Sequence, residues 1–540
     1  MLELSFDEPN RFGPSRAAVM SSNGMVVTSQ PLAALTGVNI LRQGGNAVDA
    51  AIATAAMLNV IEPMSTGIGG DVFALFYEAK TGQIRGLNGS GRSPHAASLE
   101  EYQRRLGNAT THSIPTESML AVTVPGAVDG WSKILERYGR MSFNEVLAPA
   151  IETAEGGFAV APQTAQFWDA FKGPISQHHD SQSTWFYPDG HTPRPGEIFK
   201  NPKLGRTLRL IAEGGPDVFY RGAISESLVQ FSEANGGLFT EKDFEDHSST
   251  WVDPISVRYR EYDVLELPPN GQGIAVLEAL NILSQGDFSS LKYGSEETIH
   301  FQLEALKLAL HDARTYVTDP EKAEIPIDQL LSDEYARKSF ASLDPDRAID
   351  QSAAGPKGGD TVYLCVADRE GNVVSLINSI FMPWGTGLTA GDTGIVLQNR
   401  GSMFSLDVNH CNVIASHKRT RHTILPAMVC CEGLPLIAFG CVGGEVQPQG
   451  QLQFLCNVID FGMNLQDALD APRWRYDEGT QVALEPGIAG TIRNGLKKKG
   501  QHIGGVEGFF GGGQALLIHP EHGTLQGGSD PRRDGCAIGY

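Results

Sequence analysis

Apolar residues recur with helical spacing along the first two-thirds of the chain. The segment 298–316 is one clear case. Its residues Leu303, Leu306 and Leu310 fall on one face of the predicted helix. The segment 47–61 is rich in alanine and apolar on nearly every side, which is typical of a buried helix. Further helices are predicted at 31–43, 126–138, 144–155, 224–234, 274–283 and 451–461.

Apolar and β-branched runs indicate strands, most of them in the last third of the chain. The runs 361–368 and 373–381 flank the turn sequence Asp-Arg-Glu-Gly-Asn, which predicts a hairpin. Other strands are predicted at 72–79, 83–90, 255–267, 394–399, 427–432, 435–440 and 514–521. Strands near both ends with helices between them predict an α+β fold whose sheets combine distant segments.

Chain length, net charge and cysteine usage limit the classes to which the protein can belong. The chain has 540 residues, so more than one ordinary core is expected. Its net charge of −21 argues against nucleic acid and anionic membrane surfaces as partners. The sequence contains no run of eighteen apolar residues and no secretory leader, so we expect a cytoplasmic protein that does not enter membranes. The seven cysteines all lie at or beyond Cys365 without a CxxC spacing, which favours free thiols.

Common cofactor motifs are missing from the sequence. It has no P-loop, no GxSxG elbow and no HExxH. The glycine clusters at 67–70, 385–391 and 511–513 do not form a dinucleotide-binding fingerprint. The pairs His178-His179 and His410-Cys411 could bind a metal, but such pairs are more often surface or packing residues. We therefore expect neither a metal nor an organic cofactor.

The segment 348–360 has the composition of a mobile linker, yet it ends directly against a threonine that opens a core strand. A strand-opening threonine needs no functional reason, because β-branched residues favour strands. Longer motifs in the rest of the chain decide whether this threonine is functional or simply opens a strand. They are GGNAVDAAIATAAMLNVIEPMSTGIGGDVFALFY (44–77), VPGAVDGW (124–131), GDTVYLCVADREGNVVS (359–375), GTGLTAGDTGIVLQN (385–399) and APRWR (471–475).

These segments closely resemble the γ-glutamyltransferase family, in the family's order and across nearly the whole chain. The resemblance implies the four-layer αββα sandwich of N-terminal-nucleophile hydrolases. It also implies that the chain cuts itself between Asp360 and Thr361. The large fragment would be 1–360, with a helical middle region at about 160–350, and the small fragment 361–540.

The resemblance implies a role for four residues. The Thr361 hydroxyl would attack the Asp360 carbonyl in an N-to-O acyl shift, and the glycines at 358 and 359 would tolerate the required backbone geometry. The new α-amine, with a reference pKa of roughly 7.7–8.0, would then serve as the base for Thr361. Ser379, eighteen positions on, would orient the nucleophile. Gly443 and Gly444 would supply the oxyanion hole.

The substrate-binding positions depart from the family pattern. The residues that hold a glutamyl α-amino group align with Phe381, Arg400 and Met403, and a serine pair aligns with His422 and Thr423. The family's carboxylate-binding arginine aligns with Ser90, and Arg92 lies two residues further on; on a strand this moves the head by roughly 6–7 Å. Candidate substrate contacts are therefore Arg92, Asn399, Arg400, His422 and Thr423.

A buried substrate ammonium without a carboxylate partner is unfavourable, whereas an arginine favours a carboxylate. We therefore expect an amide substrate whose acyl part carries a carboxylate but needs no α-amine, such as a glutaryl amide or oxamate. Water would be the main acceptor. Two alternatives stay open: true γ-glutamyl transfer from glutathione, and an uncut, non-catalytic binding protein. The expected partners are the small-molecule amide and the chain's own two fragments, and a homo-oligomer is left open.

Overall fold

The computed structural model describes residues 12, 15–107, 113–288, 291–350, 359–504 and 508–540. Most of the predicted linker, 351–358, lies outside the described residues. The helices are α1 Pro31–Arg42, α2 Ala47–Ile61, α3 Leu99–Arg105, α4 Ala127–Tyr138, α5 Phe143–Gly156, α6 Pro162–Ala170, α7 His179–Trp185, α8 Pro202–Gly214, α9 Pro216–Tyr220, α10 Ala223–Ala234, α11 Glu241–Glu245, α12 Ile274–Ser284, α13 Glu296–Tyr316, α14 Ile327–Leu330, α15 Asp333–Ala341, α16 Gln447–Ile459, α17 Leu465–Asp470 and α18 Gly490–Lys498.

The strands are β1 Val19–Ser21, β2 Met25–Thr28, β3 Asp71–Glu78, β4 Gln83–Gly89, β5 Phe158–Ala159, β6 Ile198–Phe199, β7 Thr250–Val252, β8 Ile255–Tyr259, β9 Tyr262–Glu266, β10 Val362–Ala367, β11 Val373–Ser379, β12 Ala427–Cys431, β13 Leu434–Val442, β14 Trp474–Glu478, β15 Gln481–Leu484, β16 His502–Ile503, β17 Gly512–Ile518, β18 Leu525–Ser529 and β19 Cys536–Gly539. Fourteen of them form two seven-stranded sheets, ordered β1-β18-β17-β13-β12-β9-β8 and β19-β2-β10-β11-β3-β4-β7.

Three hydrophobic clusters define four layers. One cluster lies between the two sheets and includes Phe73, Tyr363 and Met428. A second joins the outer face of the β10 sheet to α1, α2, α4 and α5. The third joins the outer face of the β13 sheet to α12, α13, α16 and α17. Helices therefore cover both outer faces of two stacked sheets, which agrees with the predicted α+β sandwich.

The central hairpin is formed as the sequence predicts. β10 pairs with β11 in antiparallel register, with Val362 opposite Asn378. The turn closes through a hydrogen bond from the Asp368 N–H to the Asn372 carbonyl, and Gly371 has a positive φ of 86°. Both strands are buried along their full length. Residues 361 and 379 consequently lie side by side at the same end of the hairpin.

The prediction of a strand at 394–399 is wrong. This segment is irregular, with an isolated bridge between Thr389 and Val396 as its only strand-like pairing in the described chain. Its backbone groups bind several different partners: the Leu397 N–H donates to Leu388, and the Gln398 N–H donates to Gly69 at 3.0 Å. The apolar run is buried as a connecting loop, and burial alone does not distinguish such a loop from a strand.

Two further sequence predictions concern the thiols and membranes. All seven cysteines are free, four of them buried: Cys365, Cys430, Cys441 and Cys456. Within the described residues, no helix is long and apolar enough to cross a membrane.

Gly440 in β13 allows the two sheets to approach each other at the hairpin. A Cβ added there would lie 2.3 Å from Cδ2 of the fully buried Tyr363. Gly440→Ala should therefore lower the free energy of unfolding by about 1–3 kcal/mol, as overpacking of a core does. Urea unfolding checks this. Gly490→Ala, at the open first position of α18, is the matched control and should change stability little. Equal stability of the two variants would contradict this account of the packing.

Candidate active site

The hairpin brings two hydroxyl groups together at the end of the sheet. Thr361 immediately precedes β10, and Ser379 is the last residue of β11. Their side-chain oxygens are 3.1 Å apart, and both residues are buried. Thr361 and Ser379 are eighteen positions apart in the sequence because the two strands and the turn of one hairpin lie between them.

The Asp360 carbonyl lies against both hydroxyls. Thr361 Oγ1 is 2.5 Å from the Asp360 carbonyl oxygen, and Ser379 Oγ is 3.0 Å from it. Hydroxyl groups that donate to a carbonyl oxygen draw electron density away from its carbon. The peptide bond between Asp360 and Thr361 is therefore polarised next to the oxygen that would attack it.

The rest of Asp360 is held firmly. Its N–H donates to the Phe381 carbonyl at 2.7 Å. Its carboxylate accepts from Ser65 Oγ at 2.6 Å and from Arg533 Nη2 at 2.5 Å. Phe381 has a positive φ of 78°, an uncommon conformation for a bulky residue, and its N–H donates to Ser379 Oγ at 2.9 Å. This strained residue therefore links the hydroxyl pair to the backbone of Asp360.

The residue before Asp360 packs on the glycine pair. A Cβ added at Gly359 would lie 2.6 Å from Gly444 Cα, and the φ of Gly359 is +152°. Gly443 and Gly444 also have positive φ values, 125° and 59°. Larger residues would not fit at this contact, so the glycines allow the chain to pass directly over the pair.

A cavity of about 780 Å³ opens at this point. Its wall includes Asp360 and Gly443, so it reaches the polarised peptide bond. Aromatic and apolar side chains line much of the remainder, with arginines and carboxylates at other points; these residues include Phe167, Phe171, Phe509, Met382, Val446, Arg314, Glu445, Arg475 and Asp477. The cavity is large enough for a small organic molecule beside Asp360.

Three contacts of the site were missed by the sequence analysis. Gln447, the first residue of α16, places Nε2 3.3 Å from Thr361 Oγ1. Ser65 and Arg533 bind the Asp360 carboxylate. The position of Gln447 three residues after the glycine pair is a usable signal. Ser65 and Arg533 lie 295 and 173 residues from Asp360 in sequence, and no local pattern indicates them.

Arg400 is buried behind the hydroxyl pair. Its guanidinium donates to Thr423 Oγ1 at 2.8 Å and approaches Ser379 Oγ at 3.4 Å, and it stacks on the Phe381 ring at 4.3 Å. Burial lowers the pKa of Arg400 to about 9. No carboxylate of the described residues lies within ion-pair distance of it. Arg400 does not line the cavity described above, and its contact with the hydroxyl pair is through Ser379.

His422 and Asp71 form a buried pair beside Arg400. His422 Nε2 donates to Asp71 Oδ2 at 3.0 Å, and its ring packs on Phe73. Burial, and then the Arg400 cation, lower the pKa of His422 to about 4, so it is neutral at pH 7. Burial alone would raise the pKa of Asp71, but bonds from His422 and the Arg400 cation hold it below its usual value. The pair is a neutral imidazole that donates to a carboxylate.

The other predicted substrate contacts lie elsewhere. Arg92 binds the half-exposed Glu321 at 2.7 Å and is not among the described residues that line the cavity. Asn399 does line it, but its side chain bonds to the Met382 N–H and the Gly385 carbonyl. The structure thus brings Arg400, His422 and Thr423 together and leaves Arg92 apart. No group of three or more metal-binding side chains occurs in the described chain.

The low pKa of His422 should make stability depend on pH. Between about pH 6.5 and 4 the unfolded chain binds a proton at this residue and the folded chain does not. The free energy of unfolding should therefore fall as the pH falls, by up to about 1.4 kcal/mol per pH unit from this group. In urea unfolding at several pH values, the free energy of unfolding of His422→Gln should fall less steeply as the pH is lowered. The exposed His502→Gln is the control; an identical slope in both variants would contradict the assignment.

Comparisons with known proteins identify the family. The family described as Gamma-glutamyltranspeptidase matches residues 33–540. The chain is 39% identical over 531 residues to the Glutathione hydrolase-like YwrD proenzyme of Bacillus subtilis, covering 97% of this chain and 99% of that one. It is 32% identical over 536 residues to the Oxamate amidohydrolase proenzyme of Klebsiella pneumoniae, covering 96% and 99%.

A solved structure of a related protein has the same fold. The crystal structure of cephalosporin acylase from Bacillus halodurans superposes with a TM-score of 0.92 at 42% identity, and the match covers 99% of each chain. The match extends over both sheets and the candidate site. This chain belongs to the gamma-glutamyltranspeptidase family, and its relatives are amide hydrolases and acyltransferases.

Proposed function

We propose that this protein is a self-processing amidase whose nucleophile is the Thr361 hydroxyl, released as a new N-terminus by cleavage after Asp360. The observation that carries the proposal is the contact of Thr361 Oγ1 with the Asp360 carbonyl, 2.5 Å oxygen to oxygen. A second hydroxyl, Ser379 Oγ, lies 3.0 Å from the same carbonyl oxygen, so two hydroxyl groups meet at this one peptide bond. Proenzyme is part of the name of both sequence relatives, which supports the same interpretation.

Self-cleavage begins with attack of Thr361 Oγ1 on the Asp360 carbonyl carbon. A new C–O bond forms, the C–N bond breaks, and the proton of the hydroxyl ends on the nitrogen. The product is an ester between Asp360 and Thr361 with a free α-amine. Water then hydrolyses the ester, which yields the Asp360 carboxylate and restores the hydroxyl. Ser379 and Gln447, at 3.1 and 3.3 Å from Thr361 Oγ1, position the attacking oxygen.

Turnover repeats the ester chemistry on an outside amide. The α-amine of Thr361, half of it neutral at its reference pKa of roughly 7.7–8.0, accepts the hydroxyl proton as Oγ1 attacks the substrate carbonyl. The amine product leaves with that proton, and the acyl group stays on Oγ1 as an ester. Water attacks the ester next and releases the acid.

Gly443 and Gly444 are proposed to stabilise the negative oxygen formed at each attack. Their positive φ values and the close passage of Gly359 leave no side chain between the pair and the reacting carbonyl. Backbone N–H groups in such a position account for about 100- to 1000-fold in rate per donor.

The acyl part of the substrate is proposed to carry a carboxylate and no required α-amine. Positions that hold a glutamyl ammonium in the resembling family are filled here by the Phe381 ring and the Arg400 guanidinium, both buried. An ammonium beside an unpaired buried arginine would be repelled. The name of the relative from Klebsiella pneumoniae, an oxamate amidohydrolase, supports an acid-bearing amide.

Thr361→Ala removes the attacking oxygen. The variant should stay a single chain and lack amidase activity, because neither self-cleavage nor ester formation has a nucleophile. Thr361→Ser, which keeps the hydroxyl, is the matched control and should still be cut. Gel electrophoresis with intact-mass analysis follows both. Cleavage of the alanine variant at the same bond would refute the role of Thr361.

Specificity is tested with two anilides that differ only in the α-amino group. Glutaryl-p-nitroanilide should have a kcat/KM at least about tenfold above that of γ-glutamyl-p-nitroanilide. Repulsion of about 1.4 kcal/mol between the substrate ammonium and Arg400 is enough to give a tenfold difference. Met403→Asp, which adds a carboxylate at a position the family uses, should narrow the ratio, whereas Met403→Asn should not. A wild-type preference for the γ-glutamyl compound would instead support true γ-glutamyl transfer.

A further inference from the structure

Arg533 is a buried arginine next to the peptide bond proposed to be cut. Its guanidinium lies between the rings of Phe167 and Phe509, 4.7 Å from each centroid, and is almost fully buried. Its one ion pair among the described residues is with Asp360, Nη2 to Oδ1 at 2.5 Å. A flat cation held between two aromatic faces is a rigid binding group for a carboxylate.

Ser65 completes this binding place. Its hydroxyl donates to Asp360 Oδ2 at 2.6 Å, so each oxygen of the carboxylate has its own donor. Oδ1 also accepts from the Thr361 N–H at 2.9 Å. Arg533 and Ser65 are buried and far from Asp360 in sequence, so cleavage after Asp360 breaks no backbone bond next to either of them.

The proposed cleavage allows Asp360 to leave this place. As the last residue of the large fragment it has no covalent bond to Thr361. Asp360, Phe167 and Phe509 all line the cavity, so departure of Asp360 opens Arg533 and Ser65 to it. A buried arginine that has lost its carboxylate is left uncompensated. The emptied place therefore favours another carboxylate.

We propose that Arg533 and Ser65 form the subsite for the carboxylate of the substrate's acyl group, and that Asp360 fills this subsite in the uncut chain. This inference rests on the proposed function. In self-cleavage and in turnover alike, an acyl group becomes an ester of Thr361 Oγ1. Asp360 is thus the first acyl group that the site receives, and its contacts report where later acyl groups bind.

The spacing within Asp360 defines the substrate class. Two carbons, Cα and Cβ, separate its carbonyl from its carboxyl group, as in a succinyl group. The subsite should therefore prefer succinyl amides, accept glutaryl amides less well, and disfavour the shorter oxalyl and the longer adipyl amides.

The test uses purified, cleaved wild-type protein and p-nitroanilides of the oxalyl, succinyl, glutaryl and adipyl series, with butyryl as the uncharged partner of succinyl. The inference predicts the highest kcat/KM for succinyl, and a succinyl-to-butyryl ratio of at least about 30, the range expected for a charge-assisted pair. A ratio near one, or an optimum at another length, overturns it. No hydrolysis of any anilide would instead count against the proposed function itself.

Arg533→Gln isolates the residue. It should lower kcat/KM for the succinyl anilide by about 10- to 100-fold and leave the butyryl anilide within about threefold. Arg475→Gln, another cavity arginine, but paired with Asp477, should leave the succinyl-to-butyryl ratio unchanged. An unchanged ratio in Arg533→Gln overturns the inference. If Arg533→Gln is not cleaved, Arg533→Lys is measured in its place. The kcat/KM values of the wild-type protein for the anilides of different acyl length then decide the inference by themselves.

Discussion

The antiparallel pairing of β10 with β11 is the constraint on which the site depends. Val362 lies opposite Asn378, so Thr361 and Ser379 must meet at the end of the hairpin. A slip of one residue would turn every side chain to the opposite face, and both faces are buried between the helices and the second sheet. The 3.1 Å separation of the two hydroxyls therefore follows from the packing of the whole core.

Charge around the hairpin is arranged on two sides. Arg400 lies behind Ser379 with the neutral His422 and the ionised Asp71 nearby, and it forms no direct ion pair within the described residues. Arg533 lies on the cavity side and holds Asp360. The proposed preference for an anionic acyl group over an ammonium rests on these two buried cations.

The sequence predicts those parts of the site that depend on local register. The hairpin and its turn follow from alternating apolar runs and a good turn sequence, whereas the Thr361–Ser379 pair and the glycine pair follow from the family resemblance. Gln447 and Arg533 were missed, because they reach Thr361 and Asp360 from 86 and 173 residues away. The strand expected at 394–399 failed for a related reason: buried apolar residues also occur in loops that bind several distant backbones.

The central claim is that the active protein carries Thr361 as an N-terminus. Intact-mass analysis and N-terminal sequencing of the wild-type protein, purified by its amidase activity, test this most directly. The account predicts two fragments that remain associated, the smaller one beginning Thr-Val-Tyr-Leu. Full activity in a single unbroken chain, with the bond after Asp360 intact, would contradict it.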